Sequence, residues 1–150
     1  MQFTKMQGSG SSYILFNLLE ESMENVDFSE LSKWVSNVNV GIGSDGMILV
    51  GPSNRADFRM RAFDKDGIEA NHCLIGLQCV AAYLYDTMYA ESPSFTIETL
   101  GGDVSIKVEV GEKRKVKNVI VWAERNRVWT KGEVRYVCYG ELEEMNFPRT

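Results

Sequence analysis

The sequence predicts an α+β fold, in which a curved, mostly antiparallel sheet wraps around one buried central helix. Three observations lead to this prediction. Several short segments alternate apolar and polar residues with the period of a strand, segment 73–88 is apolar on nearly every side, and Gly101-Gly102 separates two strand-like segments as a hairpin turn would. A chain of 150 residues is long enough for one domain and short for two.

The composition is that of an ordinary globular protein, and it narrows the classes of partner. Apolar residues make up 44% of the chain, charged residues make up 25%, and the formal net charge is −5. An acidic chain gives no general reason to expect a nucleic acid or an anionic membrane as partner. The basic cluster between residues 113 and 117 is expected to be a solvated hairpin tip.

The cysteine and histidine content bears on metal binding and on the compartment. Three cysteines without a CxxC pair and a single histidine, His72, cannot build the usual zinc sites or a full disulfide scaffold. No window approaches the roughly 18 apolar residues needed to cross a bilayer, and the first 16 residues lack a secretory signal pattern. We therefore expect a reduced, cytoplasmic protein without a metal.

Strand-like segments account for most of the chain. They lie at residues 2–6, 13–19, 47–50, 56–63, 94–100, 104–110, 116–122 and 134–142. Segments rich in glycine, serine or aspartate separate several of them, among them a predicted loop at 8–12 and a turn at 64–67.

Residues 27–38 are predicted to form an amphipathic helix that covers one side of the sheet. Asp27 is followed three residues later by Glu30, which is the pattern of a capping box. The apolar residues at helical spacing are Leu31, Trp34, Val35 and Val38.

The glycine-rich segment 41–46 (GIGSDG) could be mistaken for a phosphate-binding loop. Such a loop follows a strand, opens a helix and ends in Lys and then Ser or Thr. Here the segment leads into a strand and contains no lysine, so nucleotide binding is not expected.

Cys73 is the residue whose position points most clearly to chemistry. It follows a turn directly and stands at the start of the buried helix. The helix dipole and the unpaired N–H groups at such a position favour thiolate, which can remove a proton, and the same N–H groups can hold a carboxylate. Composition alone leaves a buried, inert cysteine as the alternative.

Segment 57–73 (DFRMRAFDKDGIEANHC) resembles the stretch that leads to the catalytic cysteine of diaminopimelate epimerases. Further segments resemble that family in the same order, namely 3–10 (FTKMQGSG), 41–46, 78–85 (QCVAAYLY) and 97–102 (IETLGG). The resemblance implies a diaminopimelate-epimerase-like fold. It also implies a cofactor-independent amino-acid epimerase or racemase of the lysine and peptidoglycan precursor pathway, with Cys73 as the base.

The family architecture implies a second domain that is not visible in this sequence. In the family, two pseudo-symmetric domains close over the substrate without pyridoxal phosphate, metal or nucleotide. Each contributes a cysteine, one to remove the α-proton and one to return a proton. Residues 1–122 resemble the first domain and 128–147 resemble the C-terminal strand, joined at about 123–127, so residues 1–150 are expected to form a single domain.

Four positions are expected to line the substrate site, and each departs from the family pattern. Ser11 begins a Ser-Ser-Tyr run where the family usually carries Asn-Asp-Phe, and Asp64 stands where asparagine is expected. Leu74 and Ile75 replace the Gly-Asn that usually follows the cysteine, so two bulky side chains would crowd the carboxylate pocket. These departures leave the recognition of diaminopimelate open.

The other cysteines and the histidine are weaker candidates. Cys79 lies six residues after Cys73, roughly 240° round the helix, and therefore points elsewhere. Cys138 alternates with Tyr136 and fits one face of a strand. His72 is expected to face solvent or to cap the helix rather than to polarise Cys73.

Three hypotheses follow for function. The first is an isomerase of small amino acids whose site is completed in a homodimer, with Cys73 of one copy opposite Cys73 of the other. The second is a catalytically degenerate binding module that kept the fold. The third is one subunit of a heteromeric epimerase, which pairs with a separately encoded second half.

Overall fold

The computed structural model describes residues 1–123 and 132–150. The strands of the described residues are β1 (Gln2–Gly8), β2 (Ser11–Asn17), β3 (Gly46–Gly51), β4 (Phe58–Asp64), β5 (Glu69–Ala70), β6 (Ser94–Thr99), β7 (Gly102–Val110), β8 (Val116–Ala123) and β9 (Val134–Glu141). The α-helices are α1 (Phe28–Ser36) and α2 (Leu74–Asp86), and short 3-10 turns lie at Glu112–Arg114 and Glu144–Asn146.

The strands of the described residues form one sheet in the order β8-β7-β6-β4-β3-β2-β1-β9, and β5 pairs with β4. Two neighbouring pairs, β2 with β3 and β4 with β6, are parallel. The other neighbours are antiparallel. The prediction of an α+β fold with a mostly antiparallel sheet is confirmed.

The connection between β1 and β2 is shorter than predicted. The predicted loop at 8–12 is a two-residue turn, because only Ser9 and Gly10 lie outside the strands. Both have positive φ angles, 46° and 85°, as a tight hairpin turn requires. Ser11 is therefore the first residue of a strand and pairs with Gly8.

The middle of the sheet is buried on both faces, which explains why β2 and β3 are apolar without alternation. Neighbouring residues of these strands enter two different cores. The core on the α2 side includes Leu15, Ile48, Val50, Leu77 and Ile97. The core on the α1 side includes Ile14, Phe16, Leu31, Met47 and Leu49.

Helix α1 begins as predicted and ends earlier. The carboxylate of Asp27 accepts a hydrogen bond from the N–H of Glu30 at 3.1 Å, which caps the first turn. The predicted extension to Val38 is wrong, since the helix ends at Ser36 and Val38 is 78% exposed. The side chain of Asn37 accepts from the N–H of Asn39 at 2.8 Å, and this local bond replaces a further helical turn.

Helix α2 is the buried central helix that the sequence predicts. Most of its residues are buried, including its single glycine, Gly76, and both alanines. Cys73 is its N-cap residue, and Thr87 closes its other end. The helix thus presents its N-terminus, with Cys73, at one end of the sheet.

The C-terminal segment returns to the first strand. Strand β9 pairs antiparallel with β1, and the Met1 amino group donates to the Leu142 carbonyl at 2.9 Å. Phe147 then packs edge-on against Phe16 and Trp34 in the α1-side core. The predicted junction at about 123–127 lies, beyond Ala123, outside the described residues.

The basic cluster is exposed at the hairpin between β7 and β8, as predicted: Lys113, Arg114 and Lys115 lie on the turn, and Lys117 lies at the start of β8. Neither helix within 1–123 and 132–150 has the length and apolar character needed to cross a bilayer.

Candidate functional site

Cys73 stands at the junction of a loop and the buried helix. Its backbone is extended, with φ −137° and ψ 91°, and its carbonyl accepts the first helical hydrogen bond from the N–H of Leu77 at 2.8 Å. The side chain is half-buried and makes no capping hydrogen bond. The N–H groups of the first helical turn have no partner within the helix, so they are available to an anion beside the thiol.

The hydroxyl of Tyr13 is the polar group that holds the thiol. It lies 3.4 Å from the Cys73 Sγ, within hydrogen-bond distance for sulfur. Burial raises the pKa of the Tyr13 phenol, and its hydrogen bond to Cys73 raises it further. Tyr13 is not among the predicted site residues; in the sequence it stands in the Ser-Ser-Tyr run that departs from the family pattern. The feature of the sequence that could have indicated this role is the tyrosine itself, because it adds a hydroxyl at a position where the family usually has phenylalanine.

Two glycines make room for the Tyr13–Cys73 pair. A Cβ atom on Gly46 would lie 3.2 Å from the Tyr13 Cε1 and would also clash with the carbonyl of Phe63. A Cβ atom on Gly76 would lie 2.8 Å from the Cys73 Sγ. The aromatic ring and the thiol therefore occupy space that only glycine leaves open.

The two bulky residues after Cys73 differ in their surroundings. Ile75 packs against the α2-side core, and its Cγ2 lies 3.1 Å from where a Cβ on Gly8 would stand. Leu74 is 38% exposed. Of the pair that was expected to crowd the carboxylate pocket, Leu74 is therefore the side chain that is more open to solvent.

The remaining predicted site residues have different positions. Ser11 pairs with Gly8, the residue against which Ile75 packs. Asp64 ends β4, and its Oδ1 accepts from the N–H groups of Asp66 and Ile68 at 2.9 Å each. These hydrogen bonds stabilise the turn after β4, so the contacts of the Asp64 carboxylate in the structure are structural.

Cys138 and His72 have the surroundings that the sequence suggested, whereas Cys79 does not point away from the site as predicted, since its Sγ and Ile75 Cγ2 both lie near Gly8. Cys79 is buried, and this burial, with a smaller effect of the nearby Cys73, raises the pKa of its thiol to about 12. Cys138 is exposed on β9. His72 is exposed, with its imidazole against Gly101 in the turn between β6 and β7.

Two further features bear on ligands. Among the residues that the structure describes, no three His, Cys, Asp or Glu side chains lie together in a way that could hold a metal ion. A cavity of about 420 Å³ lies near the far end of α2, lined in part by Asn17, Tyr83 and Tyr139. Cys73 is not among its lining residues.

A cysteine at the start of a buried helix, inside a curled sheet, agrees with the comparison to known proteins. Residues 3–122 match the family described as diaminopimelate epimerase. The chain belongs to this family. The diaminopimelate epimerase of Bacillus subtilis strain 168 is 46% identical over 145 residues, which cover 97% of this chain and 50% of the relative. The chain thus spans about half the length of this relative.

Solved structures support the fold. A PhzF-family phenazine biosynthesis protein from Bacillus anthracis aligns with a TM-score of 0.61 and 20% identity, over 81% of this chain and 39% of that one. A hydroxyproline epimerase from Agrobacterium vitis, solved with trans-4-hydroxy-L-proline bound, aligns with a TM-score of 0.62 and 15% identity, over 81% of this chain and 40% of that one. In both cases the chain covers a minor part of the larger protein.

Proposed function

We propose that this chain forms one half of a cofactor-independent amino-acid epimerase or racemase, in which Cys73 exchanges the α-proton of the substrate. The observation that carries the proposal is the position of Cys73. It is half-buried and occupies the N-cap position of a buried helix within the region that matches the family. A thiolate there can act as a general base, and no cofactor is needed for a proton transfer of this kind.

The start of α2 also supplies electrostatic support for the proposed reaction. Removing the α-proton leaves negative charge on the α-carbon and the carboxylate of the substrate. The N–H groups of Leu74, Ile75 and Gly76 are in the first helical turn, where the positive end of the helix dipole favours such charge. Base and anion site would then share one end of one helix.

We propose the residues around this end as the substrate surface. Ile75 packs against Gly8, the strand partner of Ser11, and Leu74, which directly follows Cys73 in the chain, is open to solvent. Asp64 is proposed as a more distant contributor, because its carboxylate already holds the turn after β4. A substrate with a small side chain fits this surface better than one with a bulky side chain, since Leu74 takes up space that the usual glycine leaves free.

Inversion at the α-carbon needs a second group on the opposite face. We propose that it comes from a second copy of the chain, with Cys73 facing Cys73, because a twofold interface presents the same patch twice. A separate subunit that carries the second half of the family's structure is the other arrangement. All three cysteines are free, which fits action in the reducing cytoplasm.

A second candidate function is a binding module that has lost catalysis. Leu74 favours it, because an exposed apolar side chain directly follows Cys73 in the chain where the family usually has glycine. The two candidates differ in α-proton exchange. Incubation of amino acids in heavy water with the wild type and with Cys73→Ala tests them: cysteine-dependent deuterium incorporation supports the epimerase, and no incorporation supports the module.

A further inference from the structure

We propose that Tyr13 is a positioning residue for Cys73, whose phenol donates a hydrogen bond to the thiolate and holds it in place. The inference rests on the proposed function of Cys73 as a base. It adds to the family chemistry, since the family usually carries phenylalanine at this position. The contact between the Tyr13 hydroxyl and the Cys73 Sγ, at 3.4 Å, carries it.

The sheet fixes the direction from which the hydroxyl reaches the thiol. Tyr13 pairs with Met6 on one side and with Gly46 on the other, so its backbone is held by two neighbouring strands. Its ring lies against Gly46, where a Cβ atom would stand 3.2 Å from Cε1. The Cys73 Sγ in turn lies close to Gly76. Each partner of the contact thus packs against a glycine.

The charged and titratable groups around the contact favour a protonated phenol. Besides Cys73, they are Cys79 from α2 and Asp45 from the loop before β3, and His72 stands exposed in the chain next to Cys73. Burial raises the pKa of Tyr13 most, and Cys73, Cys79 and Asp45 raise it in the same direction. The phenol therefore keeps its proton at any pH at which a cysteine base works.

A phenol that keeps its proton can serve both states of the cysteine. When Cys73 is a thiolate, the Tyr13 O–H donates to Sγ. After the thiolate has taken the α-proton of the substrate, the new S–H donates to the Tyr13 oxygen instead. Tyr13 changes from hydrogen-bond donor to hydrogen-bond acceptor without gaining or losing a proton. The only proton transferred is therefore the one that passes from the substrate to Cys73. The position of Sγ is held throughout.

The test is the pH profile of thiol reactivity in Tyr13→Phe. Phenylalanine keeps the ring against Gly46 and is the usual residue of the family, so the variant is expected to fold. Cys138→Ser serves as the background, because Cys138 is the exposed free thiol of the described residues, and the Cys79 thiol is buried with a pKa of about 12. Reaction with a small aromatic disulfide then reports on Cys73.

We expect the pH at which the rate is half its plateau to rise by about one unit in Tyr13→Phe, because a hydrogen bond to the thiolate is lost. Below that pH a smaller fraction of Cys73 is thiolate in the variant, which lowers the rate. A more basic thiolate is also a better nucleophile and offsets about half of this effect on a logarithmic scale, so the rate falls only about threefold. Tyr83→Phe is the matched control: it removes a half-buried phenol that accepts a hydrogen bond from Asn17 and should leave the profile unchanged. An unchanged profile in Tyr13→Phe would overturn the proposal.

This assay contains no substrate, so it separates the two proposals. A shifted profile together with no α-proton exchange would uphold the role of Tyr13 and reject the epimerase. Exchange that depends on Cys73, with an unshifted profile, would uphold the epimerase and reject the role of Tyr13.

Discussion

Gly76 lies against the thiol of Cys73, because a Cβ atom on Gly76 would stand 2.8 Å from Sγ. The same Cβ would also meet Ile48 Cδ1 at 3.0 Å and Met60 Cε at 3.1 Å. The glycine therefore has a packing reason inside a helix, where it otherwise costs stability relative to alanine. Its absent side chain is the space that the thiol occupies.

Gly76→Ala is predicted to lower stability and to move the thiol. In a free helical position the change would stabilise by about 1 kcal/mol, but the crowding of three side chains costs roughly 1–3 kcal/mol, so a net loss of about 1 kcal/mol is expected. Urea unfolding measures the loss, and reaction with an aromatic disulfide measures the altered thiol. The control is Gly51→Ala, where the nearest atom to the new Cβ is Leu18 Cβ at 3.5 Å. A more stable Gly76→Ala with unchanged thiol reactivity would refute the packing argument.

Asp64→Ala is predicted to destabilise the protein by about 1–2 kcal/mol, because two backbone N–H groups lose their acceptor. Asp64→Asn keeps an oxygen at the same position and restores the residue usual in the family, so its free energy of unfolding should stay close to that of the wild type. Urea unfolding of both variants provides the comparison. Equal losses in the two variants would show that the carboxylate charge, rather than the acceptor, matters.

Asp27→Ala is predicted to cost about 1 kcal/mol, as is usual for the loss of an N-cap side chain. Lys33→Gln breaks the neighbouring ion pair between Lys33 and Glu30, whose side chains are about half exposed, and should cost less stability than the loss of the cap. Chemical unfolding of the two variants ranks them. If Lys33→Gln proved the more damaging, the cap would not be what starts α1.

Stability is predicted to fall at alkaline pH. Burial raises the pKa values of Tyr13, Tyr83, Tyr136 and Cys79 in the folded chain, so the unfolded chain releases these protons first. Their contribution is fully present below the ordinary cysteine and tyrosine pKa values, and it is lost as the pH rises through the raised values. Unfolding free energies at about pH 7.5 and about pH 10.5 show the decline.

Tyr136→Phe isolates one of these groups. The Tyr136 hydroxyl donates to the Asp86 carboxylate at 2.6 Å, and burial, followed by this hydrogen bond, raises the pKa of Tyr136. The variant should therefore lose less stability than the wild type between the two pH values. A decline as steep as that of the wild type would show that Tyr136 plays no part in it.

The fold was predictable from the sequence where burial dictates the pattern. Segment 73–88, which is apolar on nearly every side, predicted a buried helix, and the alternation in 56–63 predicted β4. The end of α1 was not predictable from the sequence. Val38 fits the apolar spacing of the helix, but Asn37, just before it, forms a local hydrogen bond that ends the helix. Periodicity reports which residues could share a face and does not report where the backbone stops being helical.

The sequence predicted the features of the candidate site that lie close together in the chain, but not the contacts between residues that are far apart in it. Cys73 and its place at a helix start follow from the sequence, and so do the substitutions at Leu74 and Ile75. The contact with Tyr13 joins residues that are 60 positions apart, and it depends on the pairing of β2 with β3. The different surroundings of Leu74 and Ile75 likewise depend on where Gly8 lies, which local patterns do not specify.

The most direct test of the account is deuterium incorporation at the α-carbon of small amino acids, diaminopimelate among them, in heavy water. Mass spectrometry compares the wild type with Cys73→Ala, and Cys138→Ser serves as the cysteine control. The account predicts incorporation with the wild type and Cys138→Ser, and a loss of at least about 100-fold in Cys73→Ala, as expected for removal of a general base. Equal incorporation with and without Cys73 would contradict it, and so would none with any amino acid.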